Sequence, residues 1–159
     1  MQQPRLKRPL PTRRRVLLLA IAGGAAAAAS AMFARMAAAG PKEAAAFLAQ
    51  IGKGTPKDGR IAIKAQEIAE NGNTVPLTIT VESPMSEKDY VKTVRVAADG
   101  NPNPGVVTLH FTPAVGRCEV QIRCRLAQTE RVIAVAEMSD GSLWTTAREI
   151  KVTIGGCGG

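Results

Sequence analysis

Apolar and polar residues alternate along seven segments of this 159-residue chain. In the clearest segment, 75–82, Leu77, Ile79 and Val81 fall on one face and polar residues fall between them. Successive side chains of a β-strand point to opposite faces, so a period of two predicts half-buried strands. The predicted strands are 60–65, 75–82, 90–97, 106–111, 118–126, 131–137 and 143–154.

Clusters of Gly, Pro, Asn and Asp separate these strands and predict turns, at 54–59, 69–73, 99–105 and 139–141. No helical period lies between the strands, and this arrangement predicts an all-β, antiparallel β-sandwich over 55–154. A segment with Pro41 near its start and Gly52 at its end predicts a short N-terminal helix over 41–52, within a helical segment 40–54.

Residues 1–39 have the order of an export signal. Consecutive arginines, Arg13 to Arg15, precede a weakly apolar Leu/Ala/Gly stretch, and Ala37 to Ala39 offer an Ala-x-Ala cleavage site before Gly40. The arginines predict a signal of the twin-arginine type, and hence a periplasmic protein free of the membrane after cleavage. The alternative is an uncleaved membrane anchor, which the short and diluted apolar run disfavours.

The positive charge of the chain belongs to this leader. The formal net charge is +8, but residues 1–40 contain seven of the 21 basic residues and no acidic residue. Residues 41–159 therefore contain 14 basic and 13 acidic residues, a net charge of +1. Because a phosphate backbone requires a basic stripe, nucleic-acid binding is not expected.

The chain ends in Gly155-Gly156-Cys157-Gly158-Gly159, a cysteine with two glycines on each side. Glycine loses the most backbone entropy when it is ordered, so the segment 155–159 is predicted to be a flexible arm without packing. An exposed free thiol is usually avoided, so its presence here indicates use. No neighbouring residue would strongly activate Cys157, which indicates a carrier whose activating groups belong to partners.

The other candidate residues point to no further chemistry. Cys118 and Cys124 fall on the apolar face of one predicted strand, too far apart for a disulfide bond, and are predicted to be buried small residues. His110, the only histidine, alternates away from the apolar face and is predicted at the surface. No metal set, Ser-His-Asp set, paired carboxylates or phosphate loop is evident, so the sandwich is expected to be a binding platform and not an enzyme.

Five segments carry a resemblance to a known family. They span about residues 42–159 in order: 70–76 (ENGNTVP), 81–84 (VESP), 98–102 (ADGNP), 135–141 (VAEMSDG) and 151–159 (KVTIGGCGG). With the twin-arginine-like leader, they make the chain similar to the SoxY family, the sulfur-carrier subunits of the bacterial thiosulfate-oxidising (Sox) system. Cys118 and Cys124 are not features of that family.

The resemblance implies an immunoglobulin-like sandwich paired with a second β-sandwich subunit, SoxZ, in a heterodimer. It implies that Cys157 holds the pathway intermediates covalently. A haem-containing enzyme would attach thiosulfate, a hydrolase would release sulfate, and in many systems a molybdenum enzyme would oxidise the remaining sulfur. The cofactors belong to those partners, and none is expected on this chain.

Other functions remain open from the residues alone. One alternative is a structural or binding module in which Cys157 serves only as a disulfide link between copies. A thiol–disulfide redox protein would want a resolving cysteine near Cys157, and none lies there. A ubiquitin-like carrier acting through its terminal carboxylate is a weaker alternative.

Overall fold

The computed structural model describes residues 40–156. The predicted signal 1–39 lies outside the described residues, as do Cys157, Gly158 and Gly159. The described part contains one α-helix, a short 3-10 helix and nine strands. These are α1 (Pro41–Ala49), β1 (Lys57–Asp58), β2 (Ile61–Ala65), β3 (Ile68–Asn71), β4 (Val75–Val81), β5 (Val91–Ala98), β6 (Gly105–His110), the 3-10 helix (Pro113–Val115), β7 (Cys118–Cys124), β8 (Glu130–Met138) and β9 (Leu143–Ile154).

The strands form two sheets. The larger sheet has the order β1-β9-β8-β5-β6, with β3 also paired to β9, and the smaller sheet has the order β2-β4-β7. Within both sheets the long neighbours are antiparallel. The predicted all-β sandwich is therefore confirmed, with one addition: β1 and β3 both pair with β9 in parallel.

The main core lies between the sheets, where the alternating apolar residues of the strands meet. Leu77 and Ile79 from the smaller sheet and Val94, Val96 and Ile150 from the larger sheet are at most 1% exposed. Burial of aliphatic side chains stabilises the fold by roughly 1.5–3 kcal/mol each. The core uses almost no aromatic residues, as expected from the 3% aromatic content.

Helix α1 covers the outer face of the larger sheet. Its buried residues Ala44 and Leu48, one turn apart, pack against Ala97, Val135 and Leu143. The Gly40 N–H donates to the Glu43 carboxylate at 2.8 Å, which satisfies one of the free N–H groups at the helix start. The helix ends at Ala49, three residues before the predicted end at 52.

Two predicted turns contain short strands. Lys57–Asp58 lies in the predicted turn 54–59, and Ile68–Asn71 overlaps the predicted break 69–73. Neither segment alternates clearly, because each pairs through its backbone with the long strand β9 and not through an apolar face of its own. Within the described residues, no helix has the length and apolar character needed to cross a membrane.

Two isoleucines of β9 provide a test of this arrangement. Ile150 is fully buried between the sheets, whereas Ile154, four residues further along the same strand, is 68% exposed. We expect Ile150→Ala to lower the free energy of unfolding by about 2–4 kcal/mol, because it leaves a cavity in the core. Ile154→Ala should cost less than about 1 kcal/mol. Denaturant unfolding measures both, and equal losses would contradict the assigned burial.

Candidate functional site

The candidate site is the end of the sandwich at which β9 finishes and the chain runs on to Cys157. Three backbone segments meet there: the turn after β3, the loop after β7 and the end of β9. Their backbones are joined by three hydrogen bonds. The Gly72 N–H donates to Ile154 O at 2.7 Å, the Leu126 N–H donates to Gly72 O at 2.8 Å, and the Gly156 N–H donates to Leu126 O at 2.8 Å. We call this set of bonds the C-terminal clamp.

The clamp leaves no room for side chains on the glycines at the end of β9. A Cβ atom built on Gly155 would overlap Ala127 O, and one built on Gly156 would lie 2.8 Å from Gly72 O. Gly156 is buried. The expected lack of packing therefore does not hold at Gly155 and Gly156, where the absence of a side chain allows a close backbone approach. The predicted flexibility of these two glycines stays a prediction.

The predicted carrier residue, Cys157, follows Gly156 directly in the sequence. Because Cys157, Gly158 and Gly159 lie outside the described residues, the predicted flexibility of Gly158 and Gly159 stays a prediction. Covalent geometry sets one limit: consecutive Cα atoms are about 3.8 Å apart. The thiol-bearing residue therefore starts next to the clamp.

Buried polar side chains support the loop in the clamp. Asn101, only 2% exposed, donates from Nδ2 to Arg125 O and accepts from the Ala127 N–H with Oδ1, both at 2.8 Å. The Ala127 N–H is also 3.0 Å from Oε1 of Glu130. These contacts fix the residues on either side of Leu126, which itself bonds to Gly72 and Gly156.

Glu130 is 5% exposed, and the second oxygen of its carboxylate accepts from the Gly100 N–H at 2.7 Å. Burial raises the pKa of Glu130, and the hydrogen bonds from backbone N–H groups partly oppose this rise. Nearby, the Asp99 carboxylate accepts from the Arg131 N–H and guanidinium at 2.9 Å each. The network therefore orders the loops beside the clamp through satisfied polar contacts.

Both described cysteines are buried, as predicted. Cys118 is 1% exposed and Cys124 is 7% exposed, and they lie at opposite ends of β7 with no disulfide bond. Burial raises the pKa of each thiol to about 11. Because the thiolate is the nucleophile, neither residue is suited to carry a substrate at neutral pH.

His110 lies at the surface, as predicted. His110 is exposed at the end of β6, where its ring nitrogen Nδ1 is 3.2 Å from the Thr93 hydroxyl. In the part of the chain that the structure describes, no three His, Cys, Asp or Glu side chains are grouped so that they could hold a metal ion.

Sequence reasoning missed the residues that hold the clamp: Gly72, Asn101 and Glu130. Gly72 and Asn101 lie in turn clusters, where Gly and Asn are ordinary residues, and Glu130 looks like a surface residue next to a strand. The only signal in the sequence was the position of Gly72 and Asn101 within segments of family resemblance. Their role depends on contacts with residues far away in the chain.

Solved structures of several proteins share the fold. A superoxide reductase (neelaredoxin) from Ignicoccus hospitalis is 20% identical, with a TM-score of 0.53, over 59% of this chain and 80% of that one. A putative superoxide reductase from Thermotoga maritima is 19% identical, with a TM-score of 0.52, over 61% of this chain and 93% of that one. At these identities the likeness shows the fold alone. No curated protein matches the chain.

The fold and the sequence Gly155-Gly156-Cys157 together define a β-sandwich whose strand β9 is closely followed by a cysteine, an arrangement suited to a carrier. The family model of the sulfur oxidation protein SoxY matches residues 45–157. The sulfur carrier protein SoxY from Chlorobium limicola f thiosulfatophilum is 33% identical, with a TM-score of 0.58, over 69% of this chain and 94% of that one. The chain belongs to the SoxY family, which makes it a sulfur-carrier subunit and not a catalytic enzyme.

The raised pKa values of the buried thiols give a test. At pH 8 a thiol of pKa about 11 is only about 0.1% thiolate, so Cys118 and Cys124 should resist iodoacetamide in the folded protein. We expect Cys157→Ser to remove nearly all alkylation of the native chain, while urea should expose two thiols. Mass spectrometry of the alkylated chain measures both results. Rapid native labelling of Cys118 or Cys124 would contradict their assigned burial.

The same pKa shifts predict how pH affects stability. The unfolded chain releases these two protons near the ordinary thiol pKa of 9.0, before the folded chain does. The free energy of unfolding should therefore fall as the pH rises from about 9 towards 11.

Proposed function

We propose that this protein is a periplasmic carrier that holds the intermediates of thiosulfate oxidation covalently on Cys157 and presents them to partner enzymes. The observation that carries the proposal is the separation of the cysteines. Cys118 and Cys124 are buried with raised pKa values, whereas Cys157 directly follows the clamped end of the last strand. Membership of the SoxY family supports the same role.

The first covalent step forms a sulfur–sulfur bond between Sγ of Cys157 and the outer sulfur of thiosulfate. The two electrons released would go to the haem-containing partner enzyme as the oxidant, and the thiol proton would go to solvent. A hydrolase then adds water across the bond to the sulfonate group. Sulfate leaves with the oxygen of that water, and Cys157 keeps a persulfide, which belongs to the reversible thiol modifications.

Covalent attachment explains why a non-catalytic subunit is useful. A bound intermediate cannot diffuse away, and a tether raises its effective concentration at any enzyme that docks on the sandwich. The partners are a SoxZ-like β-sandwich subunit, the haem-containing enzyme, the hydrolase and, in many such systems, a molybdenum enzyme. The redox cofactors reside on those enzymes, and this chain needs none.

We place the proposed location of the protein in the periplasm, to which the twin-arginine-type signal 1–39 would export it. Twin arginines at the start of a weakly apolar stretch support it. An oxidising compartment also carries a cost for an accessible thiol, because two chains can join through Cys157 in a disulfide that must be reduced before the next cycle.

The proposal predicts that Cys157→Ser folds normally but abolishes thiosulfate-dependent turnover in a reconstituted system. The reason is that serine cannot form the sulfur–sulfur bond. Cys124→Ser is the matched control: it should lower the free energy of unfolding by roughly 1–3 kcal/mol through a buried hydroxyl, yet keep turnover per folded molecule. Turnover of purified Cys157→Ser at the wild-type rate would rule the carrier role out.

Mass spectrometry of the native protein separates the carrier from a cysteine-linked structural module. Sulfonate or sulfane adducts on Cys157 are expected from a carrier. A permanent disulfide between two copies, without adducts, would favour the structural module.

The proposed partner subunit predicts a second measurement. No residue of the edge strand β6 is fully buried, and Val106, Val107 and Leu109 are half-buried. An open sheet edge of this kind is usually covered. We expect a 1:1 heterodimer with a second small β-sandwich as the resting form. Light scattering that shows a stable, active monomer without any second subunit would contradict this expectation.

A further inference from the structure

Gly72 is a glycine because of the space around it. It is not among the residues with positive φ, so its backbone does not require glycine. A Cβ atom at this position would overlap Leu126 O and lie 2.7 Å from the Gly156 nitrogen and 3.0 Å from Val152 Cγ1. Any larger residue at 72 must therefore push apart the backbones that form the clamp.

Asn101 supports the clamp through the residues next to Leu126. Its side-chain amide bonds to the backbone on both sides of Leu126, through Arg125 O and the Ala127 N–H. Leu126 in turn accepts from the Gly156 N–H. Asn101 therefore controls where the acceptor for Gly156 lies, through the residues on either side of Leu126.

The clamp sets how far the thiol-bearing residue can travel. If the chain were free after Ile154, three extended residues would carry the Cys157 Cα atom roughly 10 Å from the end of β9. With Gly156 bonded to Leu126, only one peptide separates Cys157 from a fixed atom, which is about 3.8 Å. The reach is thus shortened nearly threefold, and an enzyme that receives Cys157 must come close to the clamp.

We propose that Gly72 and Asn101 are positioning residues of the carrier: they fix the point at which Cys157 leaves the fold, so that partner enzymes must receive the end of the sandwich together with the thiol. This inference rests on the proposed carrier function.

The first experiment measures the clamp without any partner enzyme. We compare Gly72→Ala and Asn101→Ala in the mature chain with two matched controls. Gly141→Ala also strains a glycine, at φ 81°, but lies in the turn before β9, at the other end of that strand. Asn103→Ala removes an exposed asparagine from the same turn region as Asn101.

Amide hydrogen exchange and a nitroxide on Cys157 report on the clamp directly. In both test variants we expect the Gly156 amide to exchange at least about tenfold faster relative to core amides such as Val94, and the nitroxide spectrum to sharpen. The controls should leave both unchanged. If Gly72→Ala does not fold, Asn101→Ala decides, because it introduces no overlap. Unchanged Gly156 exchange in a folded test variant overturns the inference.

The second experiment measures positioning. With each variant as substrate of the reconstituted thiosulfate-oxidising enzymes, kcat/KM should fall about tenfold for Gly72→Ala and Asn101→Ala. Alkylation of Cys157 by iodoacetamide should change less than about twofold, because a small reagent does not need a fixed approach. Faster Gly156 exchange with unchanged turnover would overturn the positioning role. Turnover by Cys157→Ser would instead refute the carrier function. The Gly156 exchange rates would still show whether Gly72 and Asn101 hold the clamp.

Discussion

The backbone pairing of β9 is the interaction on which the rest of the structure depends. This last strand bonds to β8 along Leu143 to Ile150 on one side and to the short strands β1 and β3 on the other. It also places Ile150 in the core between the sheets. Because β9 is held along both edges, the position of its end is set by the whole sandwich, and the chain leaves the fold at a defined place.

Close backbone contact at that end gives the glycines a role that differs from flexibility. Gly155 and Gly156 lie against Ala127, Leu126 and Gly72, where a side chain would collide. The hydrogen bond from the Gly156 N–H to Leu126 O extends the order of the sandwich two residues beyond β9. Gly155 and Gly156 therefore fit a narrow site in the fold, and Cys157 follows them directly in the sequence.

The same fold buries two of the three cysteines of the chain. Cys118 and Cys124 fill core positions in β7, where desolvation disfavours the thiolate and raises both pKa values to about 11. Carrier chemistry requires a thiolate that partner enzymes can reach. In the proposed carrier function, the burial of Cys118 and Cys124 leaves Cys157 as the residue that takes part in this chemistry.

Alternation along the chain was sufficient to predict the strand 143–154 with the bounds that the structure shows, and the burial of Cys118 and Cys124. These features depend on local periodicity, which a sequence displays directly. The terminal cysteine motif and the family segments likewise indicated the carrier. Only the tertiary structure decided that Gly155 and Gly156 are packed, and that Gly72, Asn101 and Glu130 form and support the clamp. Those contacts join residues up to 82 positions apart, as between Gly72 and Ile154, and no local pattern of residues predicts such contacts between distant backbone segments.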